Sequence, residues 1–244
     1  MNGQPVTVVT GGSRGIGAAV CVRLAGEGHD IALAYHSDSA AAESVAEAVR
    51  ATGRRCVTVR ADTADEADVD RLFDTAAAEL GPVTGLVNNA GMSGPVGPLA
   101  DADAAGMLRA LEVNVLGYLL CARRAVRDMT ASGGGAVVNV SSAAATLGSP
   151  GEYVHYAAAK GAVDTMTVGL SKEVGPAGIR VNAVAPGVIR TEFHADPERP
   201  DKLGPATPLG RPGLPEEIAG AVAWLLSPDA SYATGTVMRV AGGR

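Results

Sequence analysis

Cysteine and aromatic side chains are scarce in this chain, and its basic residues are not clustered. The cysteines, Cys21, Cys56 and Cys121, are widely spaced, odd in number and set in apolar contexts. That excludes a disulfide framework or a zinc centre and predicts buried thiols, with no metal bound. With 2 Phe, 1 Trp and 5 Tyr, bulky rings cannot fill an interior; alanine and 32 glycines must. The high apolar fraction makes this a composition for close helix-on-sheet packing rather than for disorder. The 20 basic and 26 acidic residues leave a net charge of −6, so no nucleic-acid or anionic-membrane surface is expected. No apolar run reaches the uncharged length of a membrane span. The first strand-like run, PVTVVT (Pro5 to Thr10), begins so early that no leader peptide is expected before it, and a cytoplasmic protein is the expectation.

What the sequence does have is alternation. VTVVT, DIALAY, CVTVR, GLVNNA, AVVNVSS, IRVNAVAP and TVMRVAG read as strands. Helical patterns follow at Ile16 to Gly28, Asp38 to Thr52, Asp65 to Leu80, Asp101 to Met129, Tyr153 to Val174 and Glu216 to Ser227. Strand and crossover helix in repetition imply an α/β chain with a doubly wound parallel sheet covered on both faces. With no linker composition anywhere, 1–244 reads as one domain. Thr63 with Glu66 reads as a capping box, Gly81-Pro82 and Gly175-Pro176 as helix stops, and Pro215 as a first-turn proline.

The first strand runs into TGGSRGIG, with Gly11, Gly15 and Gly17 spaced GxxxGxG as a helix opens. Glycines there permit chain reversal, backbone approach to a pyrophosphate and tight helix-on-strand packing, while free N–H groups at the helix start face the phosphates. An acidic residue at the end of the second strand would take the ribose hydroxyls of NAD, but Tyr35 and His36 stand there, and Asp38 falls where it caps the next helix. Arg14 in the loop offers a pair for a 2′-phosphate, and His36 or Ser37 a further donor. NADP(H) is therefore preferred, with NAD(H) admissible.

In GEYVHYAAAK (Gly151 to Lys160), Tyr156 precedes Lys160 by four positions and Tyr153 by seven. On a helix, four positions is one turn on the same face, about 5–6 Å between Cβ atoms, whereas seven is about 10 Å along the axis. Tyr156 is the phenol that an ammonium can influence. A neighbouring positive charge lowers a phenol's pKa from about 10, so that it serves as acid in one direction and base in the other. Ser141 and Ser142 end a strand at the carboxyl edge of the sheet, where a hydroxyl can hold a substrate oxygen.

Taken in order, TGGSRGIG, NNAG (Asn88 to Gly91), NVSS (Asn139 to Ser142), YAAAK (Tyr156 to Lys160) and RVNAVAPGVIRT (Arg180 to Thr191) resemble the short-chain dehydrogenase/reductase family nearly end to end. The likeness is to its 3-oxoacyl-reductase and glucose-dehydrogenase branch. The resemblance implies a seven-stranded Rossmann sheet and an Asn-Ser-Tyr-Lys tetrad. Tyr156 would be the acid/base, Lys160 would lower its pKa and hold the nicotinamide ribose, and Ser142 would orient the substrate oxygen. Asn114 would hold, through its main-chain carbonyl, a water on a relay to Lys160. It also implies cofactor contacts from Ser13 and Ile16 in the glycine loop and from Asp62 with Thr63 at the adenine, and makes Asn88, Ala90 and Gly91 a segment that lines the adenine ribose and stabilises the central sheet. Pro186, Gly187, Ile189 and Thr191 would grip the nicotinamide carboxamide and pyrophosphate. Ser142 precedes Tyr156 by fourteen positions where the family commonly has thirteen. Register with NVSS keeps Ser142, with Ser141 as the alternative.

The stretch at about 190–213 is proline-rich and of mixed charge, unlike a regular helix or strand, and reads as a substrate lid in which Phe193, His194 and Leu203 are candidate substrate contacts. The expected activity is NADP(H)-linked interconversion of a small-molecule carbonyl and a secondary alcohol. The alternatives are a 3-oxoacyl-thioester reductase and a nucleotide-sensing protein without turnover. The resemblance further implies a homotetramer, or a homodimer, built through the long helices beginning near Asp101 and Tyr153 and the last strand.

Overall fold

The β-branched runs become seven strands in the computed structural model, which describes residues 4–193 and 196–244. They are β1 (Val6–Val9), β2 (Asp30–Tyr35), β3 (Cys56–Arg60), β4 (Val83–Asn88), β5 (Gly135–Val140), β6 (Ile179–Pro186) and β7 (Val237–Val240). They pair in the order β3-β2-β1-β4-β5-β6-β7, and every pairing is parallel. The helices are α1 (Gly15–Gly26), α2 (Ser39–Ala51), α3 (Glu66–Leu80), α4 (Ala104–Leu111), α5 (Gly117–Ser132), α6 (Ala144–Leu147), α7 (Val154–Val174), α8 (Arg199–Leu203) and α9 (Pro215–Leu226).

Side chains alternate across each strand, so the sheet feeds two cores. Val6 and Val8 join Leu72 and Phe73 of α3, Cys121 and Met129 of α5, and Val174 of α7. Val9 and Leu33 join Val20 and Leu24 of α1, Val49 of α2, and Ile218 and Leu225 of α9. Each large side chain so enclosed stabilises the fold by about 1.5–3 kcal/mol relative to exposure. The three cysteines are buried thiols. Because β1 lies between β2 and β4, chain order reverses at its carboxyl end, and a crevice opens there.

Local punctuation departs from expectation in three places. Thr63 and Glu66 form no capping box: Asp65 is the cap, accepting from Asp68 N at 3.0 Å. A carboxylate next to the helix supplies the acceptor that the hydroxyl two residues earlier cannot reach. The helix expected from Asp101 to Met129 is interrupted. Asp103 caps α4, a π-turn spans Glu112–Leu116, and α5 follows. The helical run Ala104–Ser132, π-turn included, is apolar and long enough, by length and composition alone, to cross a membrane; in the fold it buries Tyr118, Cys121, Ala125 and Met129. Within 190–213, α8 and a 3₁₀ turn at Gly204–Ala206 replace the expected irregular chain. Pro200 sits in the first turn of α8, where no N–H is needed. Asp38, by contrast, caps α2 as expected, accepting from Ala41 N at 2.9 Å.

Candidate active site

The turn after β1 is shaped by backbone that only glycine adopts readily. Gly11 and Gly15 have φ of +62° and +53°, and a Cβ on Gly11 would lie 2.9 Å from Ala90 Cα. Arg14 enters α1 in extended conformation without a side-chain cap, and no acidic residue occupies the first turn. The amino end of α1 is thus electrostatically prepared for an anion. Thr10 and Asn89 brace it from behind: Thr10 Oγ1 accepts from Asn89 N and Ala90 N at 2.9 and 3.0 Å, and Asn89 Nδ2 donates to Thr10 O and Gly11 O at 2.9 and 3.0 Å.

A cavity of about 1020 Å³ runs from this turn along the carboxyl edge of the sheet. Its wall takes Gly11, Ser13, Arg14, Gly15 and Ile16 from the glycine turn, Tyr35, His36 and Ser37 after β2, and Asp62 and Thr63 after β3. Ala90 and Gly91 follow β4, and Pro186, Gly187, Ile189 and Thr191 follow β6. Ser142, Tyr156 and Lys160 line the same cavity. Asp38 lines it too, its carboxylate engaged in capping α2.

Adjacent residues leave a strand in opposite directions, and this separates the two serines. Ser141 is 2 % exposed; its Oγ donates to Asp164 Oδ1 at 2.5 Å and to Lys160 O at 3.3 Å. Ser142 Oγ accepts from Ala144 N at 3.1 Å and shares the cavity wall with Tyr156, whose phenol it influences. Tyr156 stacks edge-on with Tyr153 at 5.4 Å between centroids and is tilted against Phe193 at 5.8 Å. Lys160 Nζ lies 5.7 Å from the Tyr156 ring centre and donates to Tyr118 OH at 3.0 Å and Val140 O at 2.8 Å. Asn114 stands in the π-turn behind the wall. Its Nδ2 donates to Met92 O and Ala110 O, and its buried Oδ1 has no partner among the described residues.

Burial dominates the electrostatics. It pushes the Tyr156 phenol above its ordinary value, and the Ser142 side chain only partly offsets this. It pulls the Lys160 ammonium down to about 7, against the charge of Asp164. In the protein alone burial thus sets the direction for Tyr156, which stands above its ordinary value rather than below it, and the Lys160 ammonium donates to Tyr118 and Val140.

The model of the family described as enoyl-(acyl carrier protein) reductase matches residues 11–244. A short-chain type dehydrogenase/reductase from Mycobacterium marinum superposes with a TM-score of 0.93 at 33% identity, over 99% of this chain and 95% of that one. The chain belongs to the short-chain dehydrogenase/reductase family. Oxidoreductase YgfF of Escherichia coli (strain K12), itself uncharacterized, is 46% identical over 245 residues, covering 98% of this chain and 99% of that protein. A blue fluorescent protein from a metagenomic library, crystallised in complex with NADPH, has a TM-score of 0.92 at 39% identity over 99% of this chain and 98% of its own.

As a short-chain dehydrogenase/reductase, the chain is an NAD(P)-dependent oxidoreductase acting on small molecules, and its geometry revises several residue readings. Asn88 is not on the cavity wall expected for the ribose, but it does brace the sheet as expected of its segment: its Nδ2 donates to Asn139 Oδ1 at 3.0 Å and Tyr118 O at 3.2 Å, joining β4 to β5 and α5. Its neighbour Asn89 is the asparagine on the wall, a swap that strand alternation makes legible in NNAG. Gly17 also lies off the wall; a Cβ there would come within 2.2 Å of Gly11 O, so its part is close packing of α1. The Asp62 carboxylate accepts from Arg109 Nη2 at 2.5 Å and from Ala64 N at 3.0 Å, and Arg109 of α4 joins the wall unforeseen. At the other end Arg199 of α8 donates to both Glu152 oxygens at 2.6 Å and to Tyr153 OH at 2.9 Å, tying the 190–213 stretch to the approach to α7. Phe193 and Leu203 line the cavity, whereas His194 lies outside the described residues.

Proposed function

We propose that the protein is an NADP(H)-preferring oxidoreductase that interconverts a carbonyl and a secondary alcohol, with Tyr156 moving the proton on oxygen. The observation that carries this is the meeting of Ser142, Tyr156 and Lys160 on the wall of the cavity that also holds the glycine turn. The residues fit a dinucleotide. The positive φ of Gly11 and Gly15 keeps the turn free of side chains, α1 begins without a side-chain cap, and Asn114 Oδ1 is buried and unpartnered beside Gly91 and Lys160. Arg14 pairs with no carboxylate among the described residues, which favours a 2′-phosphate beside it, with His36 and Ser37 as further donors. Asp62, Thr63, Ala90 and Gly91 would hold the adenosine, and Pro186, Gly187, Ile189, Thr191 and Lys160 the nicotinamide half.

The bound cofactor supplies or accepts hydride at its nicotinamide ring. The chain handles the oxygen. Ser142 and Tyr156 converge on it, one hydroxyl orienting and the other exchanging the proton. A phenol held above its ordinary value is protonated at neutral pH and so begins as the acid that carbonyl reduction requires. Lys160 contributes positive charge as Tyr156 gives up its proton, and Asn114 steadies the far side of Lys160 on a water relay. The 190–213 stretch acts as a lid, clasped by Arg199 on Glu152, that keeps water from the aromatic wall of Tyr153, Tyr156 and Phe193.

Three unpaired thiols suit a reducing, cytoplasmic setting. The whole chain is proposed to act as one domain. Exposed Leu108, Leu111, Leu116 and Leu119 on the α4–α5 run, with Val168 on α7 and β7 at the sheet edge, favour a homotetramer, testable by light scattering. The decisive experiment follows NADPH and NADH absorbance against a panel of carbonyls. Turnover with NADPH that is lost in Tyr156→Phe supports the reading. Tight NADPH binding without turnover above that variant, on any carbonyl, would instead make the chain a nucleotide sensor.

A further inference from the structure

Lys160 is a lysine at 3 % exposure whose ammonium is held by a phenol. Its Nζ donates to Tyr118 OH at 3.0 Å and Val140 O at 2.8 Å; Tyr118 OH in turn donates to Val140 O at 2.9 Å. The Tyr118 ring centre is 4.6 Å from the same nitrogen. Tyr118 is 1 % exposed and stands in the first turn of α5, directly after the π-turn that carries Asn114. A π-turn rotates the helix that follows it, and here the side chain so directed reaches β5 beneath the cavity.

We infer that Tyr118 is a positioning residue for Lys160: its hydroxyl and ring fasten the ammonium to the cavity floor and hold it in the charged form. A lysine stem has four flexible bonds and three N–H donors. Two acceptors, Val140 O and Tyr118 OH, determine where the nitrogen sits and leave the third N–H for the cavity. Val140 O alone would satisfy Tyr118, so its bond to Lys160 serves the lysine. An aliphatic side chain at 118 would fill the space and leave a buried N–H without an acceptor. The catalytic consequence, a charge kept available beside Tyr156, rests on the function proposed above; the positioning itself does not.

The groups that face Lys160 define the titration. Tyr118 comes from α5, and Tyr156 and Asp164 from α7; Asp164 is bonded by Ser141 and faces Arg239 of β7. β5 contributes a carbonyl, and Gly91 and Asn114 add no titrating group. Burial is the force that disfavours the ammonium, and the Tyr118 hydroxyl opposes it.

Lysine occurs only at positions 160, 172 and 202, so ¹³Cε-lysine NMR of the protein alone resolves the titration, with the Lys160 signal identified by its loss in Lys160→Met. In Tyr118→Phe the Lys160 midpoint should fall by about one pH unit, as expected for losing a hydrogen bond to a charged group. Lys172 and Lys202 should stay unchanged. The alkaline limb of kcat/KM should move down by the same amount. An unmoved midpoint in a folded Tyr118→Phe protein overturns the inference, since a purely structural tyrosine would alter melting temperature and leave the titration in place. Should that variant not fold, wild-type protein labelled at tyrosine ¹³Cζ decides. A Tyr118 signal that follows the Lys160 midpoint supports the contact, and one blind to it refutes the contact. Neither titration needs turnover, so failure here is distinct from failure of the oxidoreductase reading, which would show as inactivity of the wild type.

Discussion

Replacing each of the two adjacent serines separately by alanine tests the geometry of the site most directly, because the fold sends their hydroxyls to different places. Ser142 Oγ stands with Tyr156 at the cavity, so Ser142→Ala removes a donor from the oxygen that changes charge during the reaction. Losses of about 10²–10³ in kcat, or about 2.7–4 kcal/mol in the barrier, are typical for such a donor. Stability should be nearly untouched, since among the described residues the bond from Ala144 N is the one hydrogen bond that the Ser142 side chain makes in the fold. Ser141→Ala should do the reverse. It strips the 2.5 Å bond from the half-buried Asp164 and another from Lys160 O, costing about 1–3 kcal/mol of stability. In a chain of this length that is roughly 2–4 °C of melting temperature per kcal/mol. Its kcat/KM should remain within a few-fold of wild type. Both variants would be compared by NADPH oxidation with an accepted carbonyl and by urea unfolding. If Ser141→Ala lost activity like Ser142→Ala while keeping full stability, the assignment of the two side chains would be wrong.

Other perturbations follow from the same geometry. Arg14→Ala should raise the KM for NADPH by about 10–100-fold and that for NADH by no more than a few-fold, because only the former carries the phosphate that a guanidinium pairs with; equal effects on both cofactors would exclude that role. Lys160 is held down to about 7 in the fold and lies near about 10.4 in an unfolded chain. Between those values the unfolded chain binds more protons, so the contribution of this residue to stability rises with pH by about 1.4 kcal/mol per unit and is flat below 7. The advantage of Lys160→Met over wild type in urea unfolding should accordingly shrink from pH 7 to pH 10, and a constant difference would contradict the burial argument. Arg199→Lys keeps a charge at α8 but cannot reproduce the fork on Glu152. It should raise the carbonyl KM and speed proteolysis within 190–213, and unchanged cleavage would argue against a clasped lid.

The sheet was legible because its signals are local and redundant. Seven β-branched runs separated by alanine-rich helical patterns admit little but a parallel, doubly wound arrangement, and each run is a strand of the sheet. The interruption between α4 and α5 was not legible, since nothing in LEVNVLG breaks a helix; the π-turn goes with the packing of the segment on α7. The cap of α3 went to Asp65 rather than Thr63 for a similar reason, two acceptors being close in sequence and their orientation a matter of tertiary direction. The swap of Asn88 for Asn89 lay within reach, because the period-two rule already says that only one of two neighbouring asparagines can face a given side.

Electrostatics was the least legible layer, and the reason is physical. Spacing on a helix gives the separation of Tyr156 from Lys160 and hence the sign of their attraction, but not the dielectric around them or the competitors for the ammonium. Here two competitors, Tyr118 OH and Val140 O, are supplied by elements distant in sequence. The enclosure that brings them also removes the water that would solvate a phenolate. Desolvation acts against the ionised pair while the two acceptors favour the ammonium, and in the balance the protein alone keeps Tyr156 protonated and Lys160 held down to about 7. A proton stored on Tyr156 is what a carbonyl oxygen needs on becoming an alcohol. Reduction can therefore draw on the resting state directly, whereas oxidation must first pay to ionise a buried phenol.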